Sequence, residues 1–326
     1  MQSIFNIFQG LKAKISSETD VFSIASLPKI ERHKIGISDQ RQPMFFIECD
    51  KNTTSKSLDV NLEFISVQYN RKCQLSTSKS KIKEGSYTVI ALKTDSVDLQ
   101  EYFLEIVFLV VKKLPLTPTV KELKIEVDKL VDLFSKFSKP ATKTIQGLWA
   151  ELLIIEQAKA TDYLIKSWHI SSSDKFDFND GTDKIEVKST AKSRRVHNFS
   201  MEQLYPNENS DLLIASVFVV ETGVGKTIFD LLSNIEKKIK DKNLLFRINE
   251  VIAQTLGKDF EKAFDVFFDY RFAVDTLQYY NSQDINKIDI ITVPREVTNI
   301  RFDSDLTDIQ AVKKPNKKSQ LQNALF

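Results

Sequence analysis

A chain of 326 residues, 42% hydrophobic and 28% charged, carries enough apolar material for two domains and has the balance of an ordinary soluble protein. Its 46 Lys and Arg face 44 Asp and Glu, so the net charge of +2 excludes a globally basic nucleic-acid binder and leaves local patches for that role. Two cysteines, Cys49 and Cys73, make no metal or disulfide framework, no signal pattern opens the chain, and the most apolar runs, 102–111 and 212–220, fall short of the about 20 residues a membrane span needs; a cytoplasmic protein without a membrane partner is expected.

In chain order, residues 1–95 read as a β-rich N-terminal domain. The apolar runs FSIASL, MFFIECD, LDVNLEFISVQY, CQLS and SYTVIALK alternate there with polar turns. From Val97 the period changes. DLQEYFLEIVFLVVKKL predicts a buried helix stopped by Pro115 and Pro118, and VKELKIEVDKLVDLFSKF an amphipathic helix stopped by Pro140, together a helical connector over 96–140. Residues 141–312 read as an α/β domain. A third helix, TIQGLWAELLIIEQAK, opens it, strands follow at YLIKSWHI and DLLIASVFVV, and helices are expected over 226–240, 243–256 and 259–268. Strands are expected around RFAVDTLQYY and KIDIITV, and residues 313–326 as a basic, mobile tail.

The stretch DKFDFNDGTDKIEVKST (174–190) carries the chemistry. Alternate residues of a strand face opposite sides, so Asp177 opposes Phe176 and Phe178, while Glu186 and Lys188 oppose Ile185 and Val187. Asp-Gly between the two runs is a hairpin signal. The three polar residues therefore converge as D-x8-E-x-K, pointing away from the apolar face. Two carboxylates on neighbouring strands suit Mg2+, with Mn2+ as a substitute, and a lysine two residues past the glutamate sits where it can orient a water and offset phosphate charge. Charges on a solvated hairpin edge would also suppress aggregation, but that reading leaves the apolar residues crowding Glu186 and Lys188 unexplained.

This pattern resembles the PD-(D/E)XK nuclease superfamily. The resemblance extends to an acidic residue on the preceding helix, Glu151 in GLWAELLII, with Gly147 one turn earlier leaving room near the site. It extends also to VHNFSMEQL (196–204), similar to an H-x-x-S-x-x-Q-L segment of bacterial members found beside methyltransferase, helicase and ATPase genes of restriction or phage defence. Phe176 stands where the motif name has proline. The resemblance implies an α/β fold with a restriction-endonuclease-like core, a mixed β-sheet flanked by helices. It implies Mg2+-dependent hydrolysis of DNA, with Asp177, Glu186, Glu151 and the Val187 carbonyl as metal ligands and Lys188 acting on the attacking water. Through it, His197 and Gln203 become phosphate- or nucleophile-positioning groups, and DNA, a defence-system methyltransferase, helicase or ATPase, and a second copy of the chain become the expected partners. A non-catalytic DNA-binding or assembly subunit would keep the same fold.

Beside the triad, Lys192, Arg194 and Arg195 form a basic run suited to backbone phosphates, or to a solvated loop. VVETGVGKT (219–227) ends like a phosphate-binding loop and keeps a nucleotide-binding enzyme as a rival reading. However, Val220 stands where the motif needs its first glycine, so tight-turn glycines and a helix start are the better account. His33, His169 and His197 make no zinc spacing, and Trp149 and Trp168 are expected to fill the core.

Overall fold

The computed structural model describes residues 3–13, 22–50, 57–77, 80–169 and 174–326. The chain divides into two compact units, Met1–Lys139 and Pro140–Phe326.

The first unit begins with α1 (Ile4–Lys12), a helix that the alternating pattern of this region does not predict, capped by the Ser3 hydroxyl. Strands β1 (Phe22–Leu27), β2 (Ile30–Ile37), β3 (Pro43–Ile47), β4 (Val60–Asn61), β5 (Ile65–Thr77) and β6 (Ser80–Leu92) form one sheet in the order β1-β2-β3-β6-β5-β4. A parallel pairing sets Phe22 of β1 beside Leu75 of β5 and closes five strands into a ring. CQLS is no separate strand. It continues β5 through a register shift between Gln68 and Arg71, where Asn70 takes a left-handed φ of 53° that asparagine tolerates. Helices α2 (Val97–Val111) and α3 (Val120–Ser135) follow, α3 started by a reciprocal Thr119–Glu122 capping box. They do not form a connector. Phe103 of α2 meets Phe45 of β3 edge-on at 5.8 Å and Phe134 of α3 at 5.6 Å, so residues 96–139 complete the core of the first unit.

The second unit runs α4 (Ile145–Gln157), α5 (Thr161–Ser167), β7 (Phe178–Asn179), β8 (Lys184–Thr190), β9 (Val196–Ser200), β10 (Leu212–Phe218) and β11 (Glu221–Thr222). It continues with α6 (Ile228–Lys238), α7 (Lys242–Leu256), β12 (Phe267–Phe268), α8 (Tyr270–Thr276), β13 (Gln278–Asn281), β14 (Arg301–Asp305) and α9 (Gln320–Leu325). Its main sheet is mixed, in the order β13-β10-β8-β7. β8 and β10 are parallel at the centre, with antiparallel β7 and β13 at the edges. Of the two central strands β10 is the apolar one, as burial on both faces requires, with Leu212 to Val217 all buried, whereas β8 carries Lys184, Glu186 and Lys188. Helix α4 packs on β8, and a β9–β14 ribbon adds Phe199 and Phe302 to the core around Ile214 and Tyr280. No described helix is long and apolar enough to cross a membrane.

Several expected elements change type. YLIKSWHI is mostly helix α5, because Thr161, Leu164, Ile165 and Trp168 are buried at helical spacing, although the run is rich enough in apolar residues to pass for a strand. RFAVDT belongs to helix α8, started by the Asp269 carboxylate accepting from the Phe272 N–H, and the strand β13 begins only at Gln278. KIDIITV is a single 3-10 turn with Ile288, Ile290 and Ile291 exposed. In 259–268 the chain makes a short 3-10 turn and then β12, after Gly257 ends α7 at φ 48°. The terminal segment is not loose: Leu321, Ala324 and Leu325 are buried, and the Ala160 N–H donates to the Ala324 carbonyl.

Candidate active site

Helix α4 begins at Thr144, whose hydroxyl accepts from the Gly147 N–H at 3.1 Å, and buries every residue from Leu148 to Glu156. A carboxylate in the middle of such a helix cannot reach water and must find partners inside. Glu151 finds three. Its Oε1 accepts from the Lys143 ammonium at 2.6 Å, and its Oε2 accepts from the Trp168 indole N–H at 2.7 Å and lies 3.1 Å from His169 Nε2. Gly147 has a different role from the one expected. A side chain there would meet only the Thr144 hydroxyl, at 3.2 Å, so the glycine belongs to the helix start.

Asp177 lies just ahead of β7, with its carbonyl accepting from the His169 N–H at 2.9 Å. The turn that returns the chain is built by side chains. Asn179 accepts from the Gly181 N–H, Asp180 accepts from the Thr182 and Asp183 N–H groups, and Gly181 takes φ 93°. The short ladder Phe178–Ile185 and Asn179–Lys184 fixes the register and sets Asp177 near β8. There its Oδ2 accepts from the Val187 N–H at 2.7 Å, and its Oδ1 meets the same Lys143 ammonium that Glu151 binds. Burial pushes the Asp177 carboxyl well above the usual range, reinforced by the negative charges of Glu151 and Glu186. Burial pushes Glu151 upward too, but its His169 hydrogen bond and the Lys143 charge prevail and hold it below that range.

Glu186 and Lys188 share the next part of β8. The Lys188 ammonium lies 2.8 Å from Glu186 Oε1, and the Gln203 amide bridges the pair, donating to Glu186 Oε1 at 2.7 Å and accepting from Lys188 at 3.2 Å. Gln203 is itself fixed by a capping box, its carbonyl oxygen accepting from the Ser200 N–H at 3.1 Å. This gives each position of the H-x-x-S-x-x-Q-L segment a task. Ser200 starts the turn, Gln203 reaches the Glu186–Lys188 pair, and Leu204 is buried in the core.

His197 and Arg195, expected as phosphate contacts, are both buried. His197 is buried and lies 2.7 Å from the Ser216 hydroxyl, and burial, with the charges of Lys188 and Arg195, lowers its pKa to about 4. Arg195 is buried too. It donates to the Ser216 carbonyl and hydroxyl and to the Thr276 carbonyl, and its guanidinium stacks 4.5 Å from the Phe218 ring centroid. Register places Ser216 beside Lys188, so this network backs the strand that carries the lysine. Of the basic run, Lys192 and Arg194 are exposed, and Arg194 pairs with Asp305 at 2.5 Å. Arg195→Ala should therefore cost about 2–3 kcal/mol of stability by orphaning buried acceptors. Urea unfolding checks this, and an unchanged midpoint would return Arg195 to the surface role.

Sequence reasoning missed Lys143 and His169. Among the described residues, Glu151, His169 and Asp177 form the group of potential metal ligands, their donor atoms within 4.8 Å of one another. Glu186 lies outside that group, turned to Lys188 and Gln203. His169 is 18 residues from Glu151 and eight from Asp177, and only the packing of α5 against α4 and the Trp168–Phe178 bridge bring it in. Lys143 precedes a helix cap and follows no periodic pattern that would mark it.

The Gly225-Lys226-Thr227 segment has a structural explanation. Gly225 adopts φ 155°, and a side chain there would lie 2.2 Å from the Phe268 carbonyl oxygen, across the bridge that Lys226 makes with Phe268. Thr227 caps α6, and the Asp230 carboxylate accepts from the Thr227 N–H at 2.8 Å, which puts a negative charge where a phosphate would sit. Lys226 itself lies over the Tyr270 ring, 3.2 Å from its centroid.

Three buried carboxylates, two ammonium groups and an imidazole thus lie on α4, β8 and their flanks. The family model described as "Putative PD-(D/E)XK family member, (DUF4420)" matches residues 5–307, and the chain belongs to that family. No curated protein and no solved structure shows significant similarity to it.

Proposed function

We propose that the chain is a metal-dependent DNA endonuclease that hydrolyses phosphodiester bonds, acting in the cytoplasm in restriction or phage defence. The observation that carries this reading is a pair of neighbouring clusters at β7–β8 in a member of this family: Glu151 and Asp177 share the Lys143 ammonium, and Glu186, whose charge acts on Asp177, pairs with Lys188. The mixed sheet β13-β10-β8-β7 with α4 packed on β8 supports a restriction-endonuclease-like core.

The residues fit a divalent cation. Glu151 and Asp177 each turn one oxygen toward a shared point, and an ammonium already lies there, so the two carboxylates accept positive charge at that spot. Hard oxygen donors suit Mg2+ or Mn2+, and His169 adds a nitrogen that Mn2+ accepts readily. Glu151 and Asp177 would hold the ion, with Glu186 and the Val187 carbonyl completing the set on the β8 side. A bound divalent ion supplies Lewis-acid stabilisation of the phosphate and acidifies the attacking water.

The remaining work falls to the chain. Lys188 is held by Glu186 and Gln203, so its ammonium has one defined position from which to orient a water and to offset charge building on the phosphate. Gln203, fixed by Ser200, accepts from the lysine and donates to Glu186, so it holds both members of the pair in place. Water attacks phosphorus, the bond to the leaving oxygen breaks, and that oxygen takes a proton. The exposed Lys192 and Arg194 are placed to meet DNA phosphates.

Incubation of supercoiled plasmid with the purified chain tests the reading. Nicked or linear product with Mg2+ or Mn2+, and none with EDTA or Ca2+, is the expected result. DNA binding without cleavage under every metal and with defence-system partners added would instead mark a non-catalytic assembly subunit.

A further inference from the structure

We propose that Lys143 is a tethered cation that occupies the metal position until a divalent ion displaces it, an inference that rests on the metal-dependent reading above. The partitioning of oxygens leads to this. Glu151 commits Oε2 to Trp168 and His169, and Asp177 commits Oδ2 to the Val187 N–H. One oxygen of each carboxylate is left, Glu151 Oε1 and Asp177 Oδ1, and Lys143 binds both. An ion entering between these carboxylates must compete for those same two atoms.

The position of Lys143 suits a group that leaves. It precedes Thr144, the cap of α4, so its backbone lies outside the helix and its departure breaks no helical hydrogen bond. Its side chain is 31% exposed, whereas those of its partners Glu151 and Asp177 are 3% and 9% exposed. The lysine therefore has a route to solvent that the carboxylates lack. A flexible four-carbon stem ending in a point charge can swing away without rearranging a fixed fork of donors, as an arginine would have to. In the metal-free protein the same contact neutralises charge that burial would otherwise leave unpaired. The lysine thus stabilises the empty site and raises the metal concentration needed to fill it.

Calorimetric titration of the whole chain with Mn2+ at pH 8, where proton competition for the carboxylates is weakest, tests this with Lys143→Met, which keeps the stem and removes the charge. The variant should bind Mn2+ about tenfold tighter or more, because a charge-assisted contact no longer has to be broken. Its melting temperature in EDTA should fall, and the rise on adding Mn2+ should exceed that of the wild type. Lys143→Gln, which retains a neutral donor, should shift affinity in the same direction and serves if the methionine variant does not fold. Equal or weaker Mn2+ binding in a folded variant overturns the proposal and makes Lys143 a fixed supporting residue. Absence of Mn2+ binding in the wild type and both variants would remove the metal-dependent reading itself.

Discussion

Lys188→Ala should lower plasmid cleavage by about 10²–10⁴-fold, the range for losing a group that assists proton transfer in the transition state, while Mn2+ still binds. The separation comes from geometry. Lys188 touches Glu186 and Gln203 but not the Glu151–Asp177 pair, so its removal leaves both of those carboxylates and their shared point in place. Glu186→Gln should differ. It removes a charge that acts on Asp177 and replaces the oxygen that receives both Lys188 and Gln203, so cleavage and metal affinity should fall together. Cleavage assays and calorimetry on the same preparations make the comparison. Wild-type cleavage in both variants would remove Glu186 and Lys188 from the chemistry.

Glu151→Ala should destabilise the protein by about 3–5 kcal/mol, the cost of breaking a buried ion pair by removing one partner. Glu151 is 2% exposed and sits where Lys143, Trp168 and His169 meet, so its loss strands the indole N–H and leaves the Lys143 ammonium with Asp177 alone. Glu151→Gln, which keeps an acceptor in place, should cost clearly less. Urea unfolding at pH 7 measures both, and a loss below about 1 kcal/mol for the alanine variant would show that the carboxylate is not the hub of this network.

The part of the site that alternates along a strand was legible in the sequence. Period-2 spacing placed Glu186 and Lys188 on one face of β8, and Asp-Gly marked the turn that returns Asp177 to it. Gln203 was legible through the resemblance, and its physical task appears only with the capping box at Ser200. Lys143 and His169 were not legible, because each reaches the site by tertiary packing from a segment with no periodic signature. Charge patterning misled at Arg195. The basic run splits where β9 begins, and its last arginine turns inward to satisfy carbonyls while Arg194 stays outside. The expectation that Asp177 and Glu186 point away from the core missed their depth. At 7% and 4% exposure they are buried, so replacing them touches stability as well as catalysis.

In the fold, the errors fall where short apolar runs fit either period. YLIKSWHI and RFAVDT have the composition of strands, and their helical state is decided by which residues are buried and by a local cap at Asp269. The tail 313–326 looked loose because its first half is basic, yet its last six residues carry an apolar face that docks against the start of α5.

Whether these carboxylates hold a catalytic divalent ion is tested most directly by an anomalous difference map from a crystal soaked in Mn2+. The expected peak lies between Glu151 Oε1 and Asp177 Oδ1, facing Glu186, with the Lys143 ammonium moved out toward solvent. A map with no peak there and Lys143 still bridging the two carboxylates, at Mn2+ concentrations that support cleavage, would contradict a metal centre at this position.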